Sequence, residues 1–247
     1  MSQTCTVVLS DTQIPFHDKR AMSAFNNMLA DRQRHIDKLF QIGDLFDMTA
    51  LSRWVDGTPA ESGKDMQKEL DSGYAFLADI DKAYGGPKEF IMGNHDDRLS
   101  NYTRRKGHGL HSIDALRFET LTGTGDYGWV CRPQPYRVRP DVAAVHGMFV
   151  RSRSGYTPHA HLDRFSTSVI HGHTHRAGIV WRTTEGRARW GMEVGHMMRE
   201  SAATYTLSPD WQKGFGVLWH DGNTTRPEFV PVRADGTFWF DGRKWAP

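Results

Sequence analysis

Val169-Ile170-His171-Gly172-His173-Thr174-His175 is the stretch around which the rest of the chain can be interpreted. A short apolar run ends directly at a motif in which His173 and His175 lie two residues apart. On a strand, residues i and i+2 point to the same side. In a loop just past a strand they can still converge on one point. Neutral imidazole is the commonest metal ligand near neutral pH. The stretch therefore predicts a strand end that carries metal ligands.

Four more clusters of potential ligands follow other predicted strands. They are Asp11 and Gln13 after strand 4–9, Asp44 after strand 36–42, Asn94 and His95 after strand 89–92, and His146 after strand 142–145. Open α/β sheets place their ligands at this carboxyl edge of the strands. Mixed oxygen and nitrogen donors suit Mn, Fe, Zn or Ni. Two ions about 3.5–4 Å apart clamp the attacking and leaving oxygens of phosphoryl transfer and make a bound water acidic.

Taken in order, the clusters resemble the pattern of the calcineurin-like metallophosphoesterase family, which is D-x-H, G-D, G-N-H-[DE], H and G-H-x-H. The matching blocks are Asp11-Thr12-Gln13, Gly43-Asp44, Gly93-Asn94-His95-Asp96, His146 and Gly172-His173-Thr174-His175. They cover residues 11–175, about two-thirds of the chain. The resemblance implies a single domain over 1–247 with a four-layer α/β/β/α sandwich. It also implies a hydrolase that acts on phosphoric ester bonds with two divalent ions.

The resemblance assigns a role to each motif residue. The implied ligands are Asp11, Asp44 and His175 for one ion, with Gln13 in the position of the family's histidine, and Asp44, Asn94, His146 and His173 for the second. His95 is not a ligand in this scheme. It faces the phosphate and protonates or hydrogen-bonds the leaving oxygen, and Asp96 orients it.

Gln13 is the one departure from the family pattern. A glutamine oxygen can bind a metal, but it is a harder and weaker donor than imidazole. We expect a looser first site that prefers Mn²⁺, with Fe, Zn and Ni as the other candidates. Two alternatives stay open, because Gln13 can ligate or a water can fill its position. His17 could substitute for it, although we expect His17 to cap the next helix or to lie at the mouth of the site.

The apolar and polar pattern also gives an element order. It predicts helices over 21–34, after an N-cap at Asp18, and over 61–84. It predicts a loop over 151–163. Five late strands between residues 179 and 240 alternate or carry bulky apolar side chains, and they predict an antiparallel second sheet.

Composition narrows the class of protein. The chain has 247 residues, 38% of them hydrophobic, and a net charge of +2. That charge is too small to imply a nucleic-acid partner by itself. No apolar run approaches about 18 residues and no signal peptide is evident, so we expect a cytoplasmic protein with no membrane partner. No interface can be read from the sequence, although many members of the family are dimers.

The metal motif fixes a reaction type and says little about the substrate. A phosphodiesterase acting on nucleotide-like or cyclic-nucleotide diesters is the first hypothesis. The alternatives are a protein or small-molecule phosphomonoesterase, a nuclease, which the near-neutral charge disfavours, and a non-catalytic metal-binding module. Arg151, Arg153 and Arg176 lie near the ligand loops in sequence and are the candidates for phosphate binding. The segments 10–18, 195–196 and 210–215 resemble bacteriophage-encoded members of the family; such a member would act in the host cytoplasm.

Overall fold

Two β-sheets form the centre of the fold, in a computed structural model that describes residues 4–52, 65–202, 209–222 and 224–247. The strands are β1 (Thr4–Leu9), β2 (Ile36–Gln41), β3 (Lys88–Ile91), β4 (Trp129–Arg132), β5 (Tyr136–Arg139), β6 (Val142–Val145), β7 (Ser168–His171), β8 (Ala177–Thr184), β9 (Arg187–Val194), β10 (Gly214–Asp221), β11 (Thr224–Pro231), β12 (Phe238–Phe240) and β13 (Arg243–Trp245). The α-helices are α1 (Lys19–Arg32), α2 (Met66–Ala83), α3 (Arg98–Lys106), α4 (Phe118–Leu121) and α5 (Tyr156–Leu162).

The first sheet has the order β11-β10-β1-β2-β3-β4, and the second has the order β5-β6-β7-β9-β8. Strands β1 to β4 are parallel, and β10 joins β1 antiparallel. The prediction that the late strands form one separate antiparallel sheet is therefore wrong. β8 and β9 extend the second sheet, and β10 and β11 extend the first. The burial of β10 explains this, because seven of its eight residues are buried and such a strand needs cover on both faces.

Neighbouring residues of β1 point into different apolar layers. Val7 and Leu9 pack in the cluster that contains α1 and α2, whereas Val8 packs in the cluster between the two sheets. A third, smaller cluster joins Leu162 of α5 to Val169 of β7 on the outer face of the second sheet. Helices, first sheet, second sheet and helix therefore follow in order, and the four-layer α/β/β/α sandwich is confirmed.

The predicted helices at 21–34 and 61–84 are present with shifted ends. Asp18 caps α1 as expected, because its carboxylate accepts hydrogen bonds from the backbone N–H groups of Arg20 and Ala21. Helix α2 begins at Met66, and residues 61–64 of the predicted helix lie outside the described residues. Within the described residues, no helix is long and apolar enough to cross a membrane.

The prediction of an uninterrupted loop over 151–163 is wrong, because α5 occupies Tyr156–Leu162. Proline and histidine content suggested a loop. However, Pro158 lies in the first turn, where a helix needs no backbone N–H donor. Leu162 and His161 are buried beneath the second sheet, so packing stabilises a helix that is too short to be stable alone.

The cap of α1 gives a test of stability. Asp18 also accepts a hydrogen bond from Lys213 Nζ at 2.6 Å, which ties α1 to the start of β10. We expect Asp18→Ala to lower the free energy of unfolding by about 1–2 kcal/mol, as measured by urea denaturation at pH 7. The exposed residue Asp221 provides a matched control, and Asp221→Ala should have little effect.

The Asp18 charge should also make this contribution depend on pH. Burial acts to raise the pKa of Asp18, but Lys213 and the capping N–H groups hold it below its usual 3.8. A lowered folded pKa stabilises the protein above the unfolded value, and this stability is lost as the pH falls through the folded value. Asp18→Asn keeps a capping oxygen and removes the charge. Its deficit against the wild type should be constant from pH 7 to 5 and shrink below about pH 4. A deficit that stayed constant down to pH 2 would contradict this origin.

Candidate metal centre

One group of ligands joins the carboxyl ends of strands from both sheets. Asp44 follows β2, His146 follows β6 and His173 follows β7, and they offer donor atoms that all lie within 4.8 Å of one another. His146 Nε2 is 3.2 Å from Asp44 Oδ2 and 3.2 Å from Asn94 Oδ1. The structure therefore brings together the four residues that the resemblance assigns to the second ion.

A second group lies beside the end of β1. His175 Nε2 is 3.2 Å from Asp11 Oδ1 and 3.1 Å from the Gln13 side-chain amide. The two ends of an amide are interchangeable in such an assignment, so this distance also fits a glutamine oxygen facing a shared ion. Asp11 Oδ1 is buried and has no hydrogen-bond partner within the described residues. Because a buried carboxylate oxygen without a well-formed hydrogen bond is costly, a cation shared with His175 Nε2, which lies 3.2 Å away, would satisfy this atom.

His17, the alternative to Gln13, contacts another part of the molecule. Its ring packs edge-on against Phe76 of α2, with ring centroids 5.3 Å apart. His196 and Trp211 lie closer to the ligands, with ring centroids 5.4 Å and 4.4 Å from that of His175. They form an aromatic wall on one side of this ligand.

Five of the seven predicted ligand positions share an unusual backbone conformation, which among the described non-glycine residues also occurs at Met48, Glu185 and Asp241. Left-handed φ angles occur at Asp11 (46°), Gln13 (49°), Asp44 (50°), His173 (69°) and His175 (58°). Residues other than glycine rarely adopt this region, and each such position costs about 1–3 kcal/mol. Strain of this kind persists where the surroundings over-determine it, and it concentrates at functional sites. Its coincidence with the predicted ligands is evidence for a site that is independent of the motif.

Two motif glycines allow the ligand loops to approach one another. A Cβ on Gly93 would overlap the carboxylate and backbone nitrogen of Asp44, and one on Gly172 would overlap the side chains of Ser10 and Asp11. The glycines of these motifs therefore provide space for the neighbouring carboxylates.

The buried charges of the centre depend on one another. Burial acts to raise the pKa of Asp44, but the imidazoles of His146 and His95 hold it well below its usual value. Burial acts to lower the pKa of His146, but Asp44 raises it to about 10. A ligand imidazole must be neutral, so metal binding at His146 would release its proton.

His95 is held by a carboxylate and an arginine. Its Nδ1 is 2.8 Å from Asp47 Oδ1, and its Nε2 is 3.2 Å from Arg98 Nη2 and 3.9 Å from Asp44 Oδ2. Arg98 Nη1 also donates to the backbone oxygen of Asp47 at 2.7 Å. Burial acts to lower the pKa of His95, but Asp44 and Asp47 raise it above its usual value. Asp47 therefore orients the imidazole, and the two carboxylates stabilise its protonated form.

The predicted role of Asp96 as the partner that orients His95 is wrong. The Asp96 carboxylate is buried and accepts hydrogen bonds from the backbone N–H groups of Gly93 (2.8 Å), Phe46 (2.9 Å) and Leu45 (3.3 Å). It thus fastens the loop after β3 to the loop after β2. Burial and a neighbouring carboxylate raise its pKa to about 7.

Sequence reasoning missed Asp47 and Arg98, although both lie in the motif loops. Asp47 is three residues after Asp44, and Arg98 is three residues after His95. A carboxylate and a cation, each three residues after a motif residue, were the sequence signals that could have identified Asp47 and Arg98. The G-N-H-D motif drew attention to the adjacent Asp96 instead.

The three predicted substrate arginines have different surroundings. Arg151 and Arg153 are exposed in the segment after His146. Arg176 is half-buried, and its Nη1 donates to the backbone oxygen of Arg151 at 2.7 Å while its Nε lies 3.4 Å from Asp210 Oδ2. Arg176 therefore connects two loops, and the binding of substrate by all three stays a prediction.

The close approach at Gly93 can be tested without reference to activity. We expect Gly93→Ala to displace Asp44 and to weaken Mn²⁺ binding by at least about tenfold in calorimetric titration. Gly109 is a matched control, because a Cβ there would meet nothing within 4 Å. Equal Mn²⁺ affinity in the Gly93→Ala and Gly109→Ala variants would refute this account of the motif glycine.

Comparisons with solved structures give distant similarities. Vps29 from Cryptosporidium parvum aligns with a TM-score of 0.48 and 14% identity over 100% of this chain and 97% of that one. The Pseudomonas putida nuclease MPE aligns with a TM-score of 0.34 and 14% identity, covering 90% of this chain and 86% of that one. These scores are too low to support a conclusion about this protein.

Sequence comparison gives a nearer relationship, although no family model matches the chain. The Gene 54 protein of Mycobacterium phage D29 is 36% identical over 251 aligned residues, which cover 97% of each chain. The Gene 54 protein of Mycobacterium phage L5 is 35% identical with the same coverage. The expected resemblance to bacteriophage proteins is confirmed. The chain belongs to the family of the mycobacteriophage Gene 54 proteins.

Proposed function

We propose that this protein is a metal-dependent phosphodiesterase of the calcineurin-like metallophosphoesterase type. One observation carries the proposal. Two groups of potential oxygen and nitrogen ligands lie where the carboxyl ends of strands from both sheets meet, and His95 lies beside Asp44 with its own carboxylate partner. A structural metal site needs ligands alone, whereas the half-buried His95, with its raised pKa, would supply a proton donor beside them.

The donor set fits two divalent ions of the kind that accept oxygen and imidazole ligands, and we propose Mn²⁺ as the preferred metal. Asp11, Gln13, Asp44 and His175 would hold one ion, and Asp44, Asn94, His146 and His173 the other. When bound, the ions supply positive charge to the phosphate and make a coordinated water more acidic.

Residues of the chain itself would protonate the leaving oxygen and hold the phosphate. Asp47 accepts a hydrogen bond from Nδ1–H of His95, and the Nε2–H of the protonated ring would donate to the departing oxygen in place of its present 3.2 Å contact with Arg98 Nη2. Arg98 Nη2 lies at the same Nε2 atom and can donate to a phosphate oxygen placed there. Asp47 is a positioning residue in this scheme, because it acts through the His95 ring, whereas Arg98 would contact the phosphate itself.

The charge around His95 favours a diester over a monoester. A phosphodiester carries one negative charge, whereas a monoester carries about 1.5–2 at pH 7. Arg98 supplies one cation beside His95, and Arg176 is already paired with Asp210. A phosphomonoesterase is the alternative that a direct comparison of substrates would reveal.

The first assay uses protein stripped of metal and reconstituted with Mn²⁺, Ni²⁺, Zn²⁺ or Mg²⁺. We expect bis-p-nitrophenyl phosphate to be hydrolysed faster than p-nitrophenyl phosphate, with Mn²⁺ giving the highest rate. Faster monoester hydrolysis would replace the proposal with a phosphomonoesterase. Metal binding without turnover of either ester would indicate a metal-binding module, and Gln13→His would then show whether the altered ligand is responsible.

Substitution of His95 separates catalysis from metal binding. We expect His95→Gln to lower kcat on the diester by about 100-fold or more, because the proton donor is lost. The bound metal, measured by elemental analysis, should be unchanged. His108→Gln is the control, since His108 is exposed in the segment after α3. An unchanged rate in His95→Gln would refute the mechanism.

Asp47→Asn tests the orientation of the ring. The amide keeps the shape of the carboxylate but weakens the stabilisation of a protonated His95. We expect kcat to fall by at least about tenfold with little change in KM, and the alkaline limb of the pH–rate profile to move to lower pH. Asp97→Asn, an exposed neighbour of the motif, should leave the profile in place.

A further inference from the structure

The segment of residues 147–156, which ends at the first residue of α5, is largely exposed beside the metal centre, and we call it the arginine–aromatic loop. It follows the ligand His146 directly, and a Cβ on its first residue, Gly147, would lie 2.7 Å from the side chain of the ligand His173. Arg176, which follows the ligand His175, donates to the backbone oxygen of Arg151. The loop is therefore fixed to both sides of the ligand cluster.

Large apolar side chains of this loop are open to solvent. Met148 is 56% exposed, Val150 58% and Tyr156 54%. Phe149 lies between them, with the guanidinium groups of Arg151 and Arg164 5.6 Å and 5.5 Å from its ring centroid. An arginine beside an aromatic ring still presents its N–H donors to a ligand. Such a concentration of exposed apolar groups marks a binding surface.

The charged residues of the arginine–aromatic loop are all basic. Residues 147–162 contain Arg151 and Arg153 and no aspartate or glutamate. Asp163, just beyond, is paired with Arg182, and the nearby Glu193 is fully buried. Within the described residues, no carboxylate forms an ion pair with Arg151 or Arg153. The surface therefore offers uncompensated positive charge next to exposed aromatic and apolar groups.

The loop is also ordered by hydrogen bonds before any ligand binds. The backbone N–H of Met148 donates to His161 Nε2 at 3.2 Å, that of Arg151 to Thr157 Oγ1 at 3.1 Å, and that of Gly155 to Glu193 Oε2 at 2.8 Å. An arrangement of this kind loses little conformational entropy on binding.

We propose that the arginine–aromatic loop binds single-stranded nucleic acid and presents its backbone to the metal centre. This inference rests on the proposed function and names its substrate class. Alternating phosphates and bases require cations interleaved with apolar and aromatic surfaces, which is what the loop carries. Bases of a duplex are stacked and hidden, and a duplex binder needs a long basic stripe, whereas residues 147–162 carry two arginines, Arg151 and Arg153.

Binding is measured on the metal-free protein in EDTA, so that the probe is not cleaved. The probe is a fluorescein-labelled 20-mer of thymidylate, followed by anisotropy, with the same strand annealed to its complement as a second arm. We expect the single strand to bind at least about tenfold tighter than the duplex. Tighter binding of the duplex would overturn the proposal.

Substitution of Tyr156 tests the contact with bases. We expect Tyr156→Ala to weaken binding of the single strand about fivefold or more, and Tyr156→Phe to retain it. Trp239→Ala is the control, because Trp239 is equally exposed, at 56%, in the hairpin of β12 and β13. Equal losses in Tyr156→Ala and Trp239→Ala would overturn the assigned surface, as would full competition by inorganic polyphosphate at equal charge.

Substitution of the arginines tests the contact with phosphates. Arg151→Gln and Arg153→Gln should each weaken binding, and each should reduce the slope of log K against log salt by about 0.7. Arg105→Gln, an exposed arginine of α3, should leave the slope unchanged. Unchanged slopes in both loop variants would remove phosphate contacts from the proposal and overturn it.

The two proposals can fail separately. Hydrolysis of bis-p-nitrophenyl phosphate by wild-type protein that binds no oligonucleotide would leave the phosphodiesterase and refute the nucleic-acid substrate. Binding of the single strand without hydrolysis of it or of the small diester, with any of the four metals, would refute the phosphodiesterase and the substrate assignment that rests on it.

Discussion

The burial of the Asp44 carboxylate is the constraint on which the rest of the centre depends. Its Oδ1 accepts the backbone N–H of His95 at 2.9 Å, and its Oδ2 lies 3.2 Å from His146. A buried charge of this kind is tolerated only when paired and hydrogen-bonded. The loops after β2 and β3 of the first sheet and after β6 of the second must therefore meet at one point. This close approach requires a residue without a side chain at Gly93, and it accompanies the left-handed backbone of Asp44.

The sequence predicted best what depends on local spacing. Candidate ligands after short apolar runs could be named because the chemistry of a metal site restricts the residue types, and the structure brings Asp44, His146 and His173 together while their binding of an ion stays a prediction. The first strand and β6 were also predicted with their observed bounds, since each is a short run of β-branched or apolar residues. These features need no knowledge of distant contacts.

Features that depend on distant contacts were not predictable from the same pattern. The membership of β10 in the first sheet is decided by its pairing with β1, and an apolar strand looks alike in either sheet. Helix α5 is stabilised by the strands that it covers rather than by its own residues. Asp96 and Asp47 are both carboxylates in motif loops, and only the three-dimensional arrangement shows that Asp47 contacts His95. Net charge likewise concealed the arginine–aromatic loop, because acidic residues elsewhere in the chain cancel its charge in the total.

The position of β10 next to β1 has a consequence for how the molecule is made. Val8 pairs with Gly216, so some two hundred residues separate the two partners in the chain. At about 5–20 residues per second, a ribosome takes roughly 10–40 s to synthesise the intervening chain. During that interval one edge of β1 lacks the neighbour that it has in the folded protein, and an unpaired edge of an apolar strand is prone to pair with other chains. Completion of the first sheet thus waits until the hairpin of β10 and β11 has been synthesised, and until then this edge of β1 is open to other partners.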